Sequence, residues 1–317
     1  MRSIFILVSC VLAISVGGCG GGEPTTNLPP DAGSGIPAEC TGASAATLDV
    51  AYQALPDVEA VLQRLDIYPT ARAASCPLAP VVVWIHGGAW AIGDKAQQIE
   101  DKQRWFNERG YLLGSVNYRL SPASGSTLDP ARVKHPDHAR DVAAAIAWVH
   151  TNIDEYGGDP SRIALLGHSA GAHLVALVAT DESFLDEHGI ALAQIACVGS
   201  FDTEAYDIQR TLKSASKNQA LILLNAFGDD PEVQAAASPM SHVVADQGIP
   251  DFLVAQRGDA DRRAVQGDFH LRLLDRGIAS TLIDASSLSH AEVNERIGLP
   301  GDDVMTPPLA AFLTSCW

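Results

Sequence analysis

The stretch "RIALLGHSAGAHL", Arg162 to Leu174, decides how the chain is read. An apolar run, Ile163 to Leu166, stops at Gly167-His168-Ser169-Ala170-Gly171, and the residues after it turn amphipathic. The period passes from that of a buried strand to that of a helix, with a serine at the junction. A sharp strand-to-helix turn forces the junction residue into a strained backbone conformation. Neighbours with a large Cβ would collide there, which explains glycine on both sides. The helix that begins beside Ser169 presents unpaired N–H groups and the positive end of its dipole, so an anion forming there is stabilised. The pentapeptide fits the pattern G-x-S-x-G of a nucleophilic serine set between a strand and a helix.

Strands and helices alternate on both sides of this turn. "TLDVAY" and "VLQRLDIYP" alternate apolar and polar residues, as antiparallel edge strands do. "APVVVWIHGG", "GYLLGSVNYRL", "RIALLGHS" and "IACVGSFD" are apolar runs of the kind buried on both faces of a sheet. Between them, Lys95 to Arg109 is compatible with a helix. Val142, Ile146, Val149 and Ile153 recur at helical spacing in Asp137–Tyr156, which Gly157-Gly158-Asp159-Pro160 stops. Ala170 to Thr180 predicts the next helix. "DFLVAQRGDA" and "STLIDASSL" predict the last two strands, with a helix from Arg262 to Arg276 between them and a terminal helix in "TPPLAAFLTSCW". Thr203 to Pro239 has weak periodicity and is compatible with a cap or with a connection. The pattern predicts an α/β fold: a mostly parallel central sheet with an antiparallel N-terminal edge and helices on both faces. Reactive groups in such sheets gather at the carboxyl ends of the strands.

The N-terminus has a different character. Arg2 precedes an apolar run from Ile4 to Val16, shorter than the roughly 20 residues a membrane-spanning helix needs. It reads as a signal peptide over residues 1–18. Val16-Gly17-Gly18-Cys19 resembles the lipobox of bacterial lipoproteins, which implies cleavage before Cys19 and lipidation of that cysteine. Residues 19–45, rich in Gly and Pro, read as a flexible linker, and residues 46–317 as one catalytic domain. The expected location is outside the cytoplasm: a lipoprotein held on a bacterial membrane only through its N-terminal anchor, otherwise a periplasmic or secreted protein. Of the six cysteines, Cys40, Cys76, Cys197 and Cys316 remain in the mature chain. Four cysteines in an exported protein predict two disulfides. The segment between the first two resembles one edge hairpin, which favours Cys40–Cys76 and Cys197–Cys316.

Composition narrows the partners. The formal net charge of −17 repels phosphate, so a nucleic-acid partner is disfavoured. No CxxC or His/Cys spacing suggests a metal, and no organic cofactor is implied. A serine needs a base to take its proton. In the chain order Ser…Asp/Glu…His the base comes late. His270 lies inside a predicted helix, so His290, expected in a loop after the last strand, is the candidate. The acid is expected after "DFLVAQRGDA", where spacing leaves both Asp259 and Asp261 open, with Asp268 farther along. His86-Gly87-Gly88-Ala89-Trp90 ends a buried strand and looks like the HGGG-type oxyanion loop of lipases and esterases. The expected oxyanion donors are the N–H groups of Gly87, Gly88 and Ala170. Trp90 is a candidate for the substrate pocket, and His86 for a loop anchor.

These motifs, with "SVNYRLSP", "ASPMSHV" and "SHAEVNERIG", resemble the α/β-hydrolase superfamily in its carboxylesterase/lipase branch. That branch holds hormone-sensitive-lipase-like enzymes, BD-FAE-type esterases and kynurenine formamidases. The resemblance runs from about Leu48 to Leu313. It implies Ser169 as nucleophile and His290 as base. The family pattern G-x-x-D, met here as Gly258-Asp259-Ala260-Asp261, implies Asp261 as acid. The next residues depart from the family: Arg262-Arg263 stands where Pro and an apolar pair are usual, which keeps Asp259 in view. The implied activity is hydrolysis of a small-molecule carboxylic ester through an acyl-enzyme. An aryl-formamidase or amidase of the same family is the alternative, and a binding protein without turnover is a second.

Overall fold

Val81, Val83 and Ile85 point to one side of β3 (Ala79–Ile85), Val82 and Trp84 to the other, and none is more than 1% exposed. Burial on both faces explains why the strand reads as an unbroken apolar run. The computed structural model describes residues 37–71, 75–122 and 129–317. All of them lie in one compact unit, Gly33–Trp317. The expected signal peptide and Cys19 fall outside the described residues.

Around β3 stand β1 (Thr47–Ala51), β2 (Arg64–Tyr68), β4 (Leu112–Val116), β5 (Gly158–His168), β6 (Cys197–Phe201), β7 (Asp251–Gln256) and β8 (Ser280–Asp284). They form one sheet in the order β1-β2-β4-β3-β5-β6-β7-β8. The pairs β1–β2 and β2–β4 are antiparallel, and every other pair is parallel. One face is covered by α2 (Asp137–Asn152) and α3 (Ala170–Val178), and the opposite face by α1 (Glu100–Glu108). Val142, Ile146, Val149 and Ile153 are all fully buried, as their helical spacing requires.

The region of weak periodicity is helical. It holds α5 (Ile208–Ser214), α6 (Lys217–Phe227), α7 (Pro231–Ala236) and α8 (Pro239–His242), after the short α4 (Ser183–Asp186). Asp207, Ser216 and Asp230 cap three of these helices through their side chains. Then follow α9 (Ala260–Asp275), α10 (His290–Glu295) and α11 (Thr306–Ser315). His290 was expected in a loop; it opens α10. Ser289 accepts from the Glu292 N–H while the Glu292 side chain accepts from the Ser289 N–H, a capping box that starts the helix at His290.

Register positions the site. Ile85 pairs with Gly167 and His168 pairs with Phe201, so β3, β5 and β6 release the chain side by side at the carboxyl edge. The Ser169 N–H donates to the Phe201 carbonyl at 2.9 Å, which ties the ends of β5 and β6 together.

Disulfides join Cys40 to Cys76 and Cys197 to Cys316. The first holds part of the expected linker: Cys40 is buried, and the Gly42 N–H donates to the Asn107 carbonyl at 2.7 Å. The second ties β6 to the end of α11 across 119 residues of chain. Replacing Cys197 and Cys316 together by alanine should lower the unfolding free energy by about 2–4 kcal/mol. A guanidinium chloride titration reads this as a lower midpoint, and an unshifted midpoint contradicts it.

Candidate active site

Ser169 stands at φ 56°, ψ −116°, between the last residue of β5 and the first of α3. A non-glycine residue holds such angles only where the surroundings impose them. The flanking glycines let the turn close this tightly. A Cβ on Gly167 would lie 2.4 Å from the Gly171 carbonyl oxygen, and one on Gly171 would lie 2.1 Å from that of Ile85. The turn therefore presses α3 against the ends of β3 and β5 and turns the serine hydroxyl outward.

His290 reaches this hydroxyl from α10. Its Nε2 is 3.0 Å from Ser169 Oγ and its Nδ1 is 2.6 Å from Asp202 Oδ2. An Nδ1–H directed at the carboxylate leaves Nε2 as acceptor for the serine proton. His168, the residue before the serine, supports the imidazole from behind. Its Nε2–H donates to the His290 carbonyl at 2.9 Å, and the two rings lie 4.6 Å apart. Burial, with a smaller contribution from His290, lowers the His168 pKa to about 3, so this ring stays neutral. The His290 side chain is 43% exposed, so its ring faces solvent while the Asp202 carboxylate does not.

The carboxylate that meets His290 Nδ1 belongs to Asp202; the expected Asp261 lies elsewhere. Asp202 follows β6, and its side chain is 0% exposed. Asp261 is exposed in the first turn of α9, and Asp259 caps that helix by accepting from the Arg262 N–H at 2.9 Å. The turn after β7 instead turns cations toward the site. Arg257 Nη1 donates to Asp202 Oδ2 at 3.0 Å and Arg262 Nε to Oδ1 at 2.7 Å. The segment expected to supply an acid thus supplies two cations to a carboxylate at the end of the neighbouring strand. Burial alone would raise the Asp202 carboxyl. The hydrogen bond from His290 and the Arg262 charge outweigh it and hold the group well below the ordinary carboxylate range.

The glycine loop after β3 abuts the serine. A Cβ on Gly87 would lie 3.2 Å from the Ser169 Cβ, so Gly87 is small because the nucleophile is close. Gly88, Ala89 and Trp90 follow at φ 116°, 55° and 59°. The Gly87 carbonyl accepts from His86 Nδ1 at 2.6 Å, which turns the N–H of the same peptide, that of Gly88, the opposite way. Burial lowers the His86 pKa, and the ring stacks on Tyr118 at 4.5 Å, so it anchors the loop. Ala170 begins α3, and the first N–H groups of a helix have no acceptor within it.

Trp90 does not present a face to the site. It is 5% exposed, packs edge-on against His173 and Phe227, and donates from Nε1 to His173 Nδ1 at 3.2 Å. The left-handed backbone at Trp90 turns the indole into the core, where it props the loop from beneath. Among the described residues, His168, Asp202 and His290 bring three possible metal-ligand atoms within 4.8 Å of one another. His290 Nδ1 and Asp202 are bonded to each other and His168 Nε2 to a carbonyl, which is the pattern of a proton relay.

The BD-FAE family model matches residues 65–266. Esterase LipQ of Mycobacterium tuberculosis is 31% identical over 72% of this chain and 52% of its own length. The probable carboxylic ester hydrolase LipM of the same organism is 34% identical over 62% of this chain and 45% of its own. The chain thus spans about half the length of the curated relatives it matches. A solved truncated carbohydrate esterase from gut microbiota superposes with a TM-score of 0.67 at 21% identity, covering 89% of this chain and 99% of that one, which establishes the shared fold. With the sheet order, the serine turn and a family match over more than half of its length, the chain belongs to the BD-FAE family of α/β-hydrolases.

Proposed function

We propose that the protein is a serine carboxylester hydrolase with Ser169, His290 and Asp202 as its triad. The observation that carries this reading is His290 bridging the other two, 3.0 Å from the hydroxyl and 2.6 Å from the carboxylate. Ser169 Oγ attacks the ester carbonyl as His290 Nε2 takes its proton. The N–H groups of Gly87, Gly88 and Ala170 receive the oxyanion. Asp202 holds the Nδ1–H tautomer and stabilises the imidazolium. His290 then protonates the leaving alcohol. Water, which reaches the exposed side of the imidazole, attacks the acyl-serine in the reverse sequence. The names of LipQ and LipM agree with this reading.

An amide substrate is the second reading. A probable N-octanoylanthranilate hydrolase of Rhodococcus erythropolis is 38% identical over 55% of this chain and 38% of its own length. The same relay would protonate an amine leaving group. Paired p-nitrophenyl esters and N-acyl anilines of equal acyl length separate the two readings by their kcat/KM.

The two disulfides accord with an oxidising location outside the cytoplasm. We place the mature protein on the membrane through acylation at Cys19, each buried methylene adding about 0.8 kcal/mol. Mass spectrometry of the exported protein tests this through the expected acylated N-terminal Cys19 peptide.

Ser169→Ala should abolish ester turnover and labelling by a fluorophosphonate. Asp202→Asn should lower kcat by about 10⁴-fold, the effect of losing the orienting carboxylate. Asp261→Asn should stay within about twofold of wild type, as a surface change does. A large loss in Asp261→Asn with little in Asp202→Asn would reverse the assignment of the acid.

Asp202 also links stability to pH. Its carboxyl titrates lower in the folded protein than in the unfolded chain, whose value is about 3.9. Its contribution is complete above the unfolded value and fades as the pH falls through the folded one. Urea midpoints measured at about pH 5 and pH 3 should therefore diverge less in Asp202→Asn than in wild type. Equal divergence would remove Asp202 from the acid limb.

A further inference from the structure

The Asp202 carboxylate carries more donors than the relay needs. Oδ2 accepts from His290 Nδ1 and from Arg257 Nη1 at 3.0 Å; Oδ1 accepts from Arg262 Nε at 2.7 Å and from Gln266 Nε2 at 3.0 Å. Arg262 does more than neutralise. Its Nη2 donates to the Asp202 main-chain carbonyl at 2.8 Å, and its Nη1 donates to Glu204. One planar guanidinium thus grips both the side chain and the backbone of the same residue, and is itself braced from two positions farther along the chain.

That grip falls where it is needed. Asp202 stands at φ 59°, a left-handed conformation that costs energy for a residue with a Cβ. The Asp202 N–H reaches the Ala255 carbonyl only at 3.3 Å. A carboxylate on such a backbone can rotate away from the imidazole unless its far oxygen is held. Arg257 shares Oδ2 with His290, and Gln266 holds Oδ1 through one donor only, whereas Arg262 grips Oδ1 and the Asp202 carbonyl together.

We infer that Arg262 is the positioning residue of the triad acid: by binding Oδ1 and the Asp202 carbonyl it leaves Oδ2 as the oxygen that faces His290. The inference rests on the reading of Ser169, His290 and Asp202 as a triad. It gives the Arg-Arg departure a function. An acid carried after β6 needs a fork from α9 to aim it, and only arginine supplies two parallel donors and a third directed elsewhere.

The test uses the full exported domain with p-nitrophenyl acetate. Arg262→Gln should lower kcat by about 10- to 100-fold with KM within about twofold, since misplacing a catalytic group by about 1 Å can cost about 10²-fold. Arg262→Lys keeps the charge but not the fork, and should restore no more than about threefold of the lost kcat. In an Asp202→Asn background, Arg262→Gln should change kcat by no more than about twofold, because no acid remains to be placed. Wild-type kcat in Arg262→Gln, full rescue by lysine, or the same fold loss in both backgrounds would each overturn the inference. If circular dichroism finds Arg262→Gln unfolded, Glu204→Gln takes its place. Removing that brace should lower kcat severalfold at unchanged KM, and an unchanged kcat overturns the inference. Full activity in Ser169→Ala would instead refute the triad itself, so the two failures are distinct.

Discussion

A carboxylate with no exposure to water governs the arrangement of this site. Asp202 sits at the end of β6 with its side chain fully enclosed. A buried charge is tolerated only when it is paired and hydrogen-bonded. Four donors from the turn after β7, α9 and α10 meet that requirement, and His290 is one of them. Much of the local structure follows from this. The carboxylate draws the start of α10 inward, the capping box at Ser289 fixes where that helix begins, and the remaining imidazole nitrogen meets Ser169.

The opposite side of the site is built from strain and apolar support rather than charge. The loop from Gly87 to Trp90 runs through three successive positive φ values. Trp90, His173 and Phe227 fill the space beneath it. Burial lowers the His173 pKa to about 3, and that of His138 likewise to about 3, so these rings act as neutral hydrogen-bonding core residues at working pH. A loop so propped has a fixed backbone, which suits the oxyanion role proposed for its N–H groups.

Different parts of this were legible in the sequence for different physical reasons. β3, β5 and β6 could be read because strands buried on both faces must be apolar throughout, and α2 because its buried face recurs at helical spacing. The meeting of Ser169 and His290 could be anticipated because the proposed roles constrain local sequence and chain order. Asp202 could not: an aspartate ending a strand resembles any other, and its arginine partners lie 55 and 60 residues away. Asp261 occupied the familiar position but lies on the solvent side of α9. For Trp90, adjacency to the glycine loop suggests the pocket, while the direction of its ring depends on Phe227 and His173, far along the chain. The helices α5 to α8 are short and packed piecemeal, so periodicity alone does not reveal them; their Asp and Ser caps were the available signal.

Everything returns to which aspartate accepts the hydrogen bond from His290 Nδ1–H. Low-field proton NMR observes that hydrogen bond directly. A downfield His290 Nδ1–H resonance should stand in wild type, persist in Asp261→Asn and be lost or moved far upfield in Asp202→Asn. A resonance unchanged in Asp202→Asn and abolished in Asp261→Asn would contradict this.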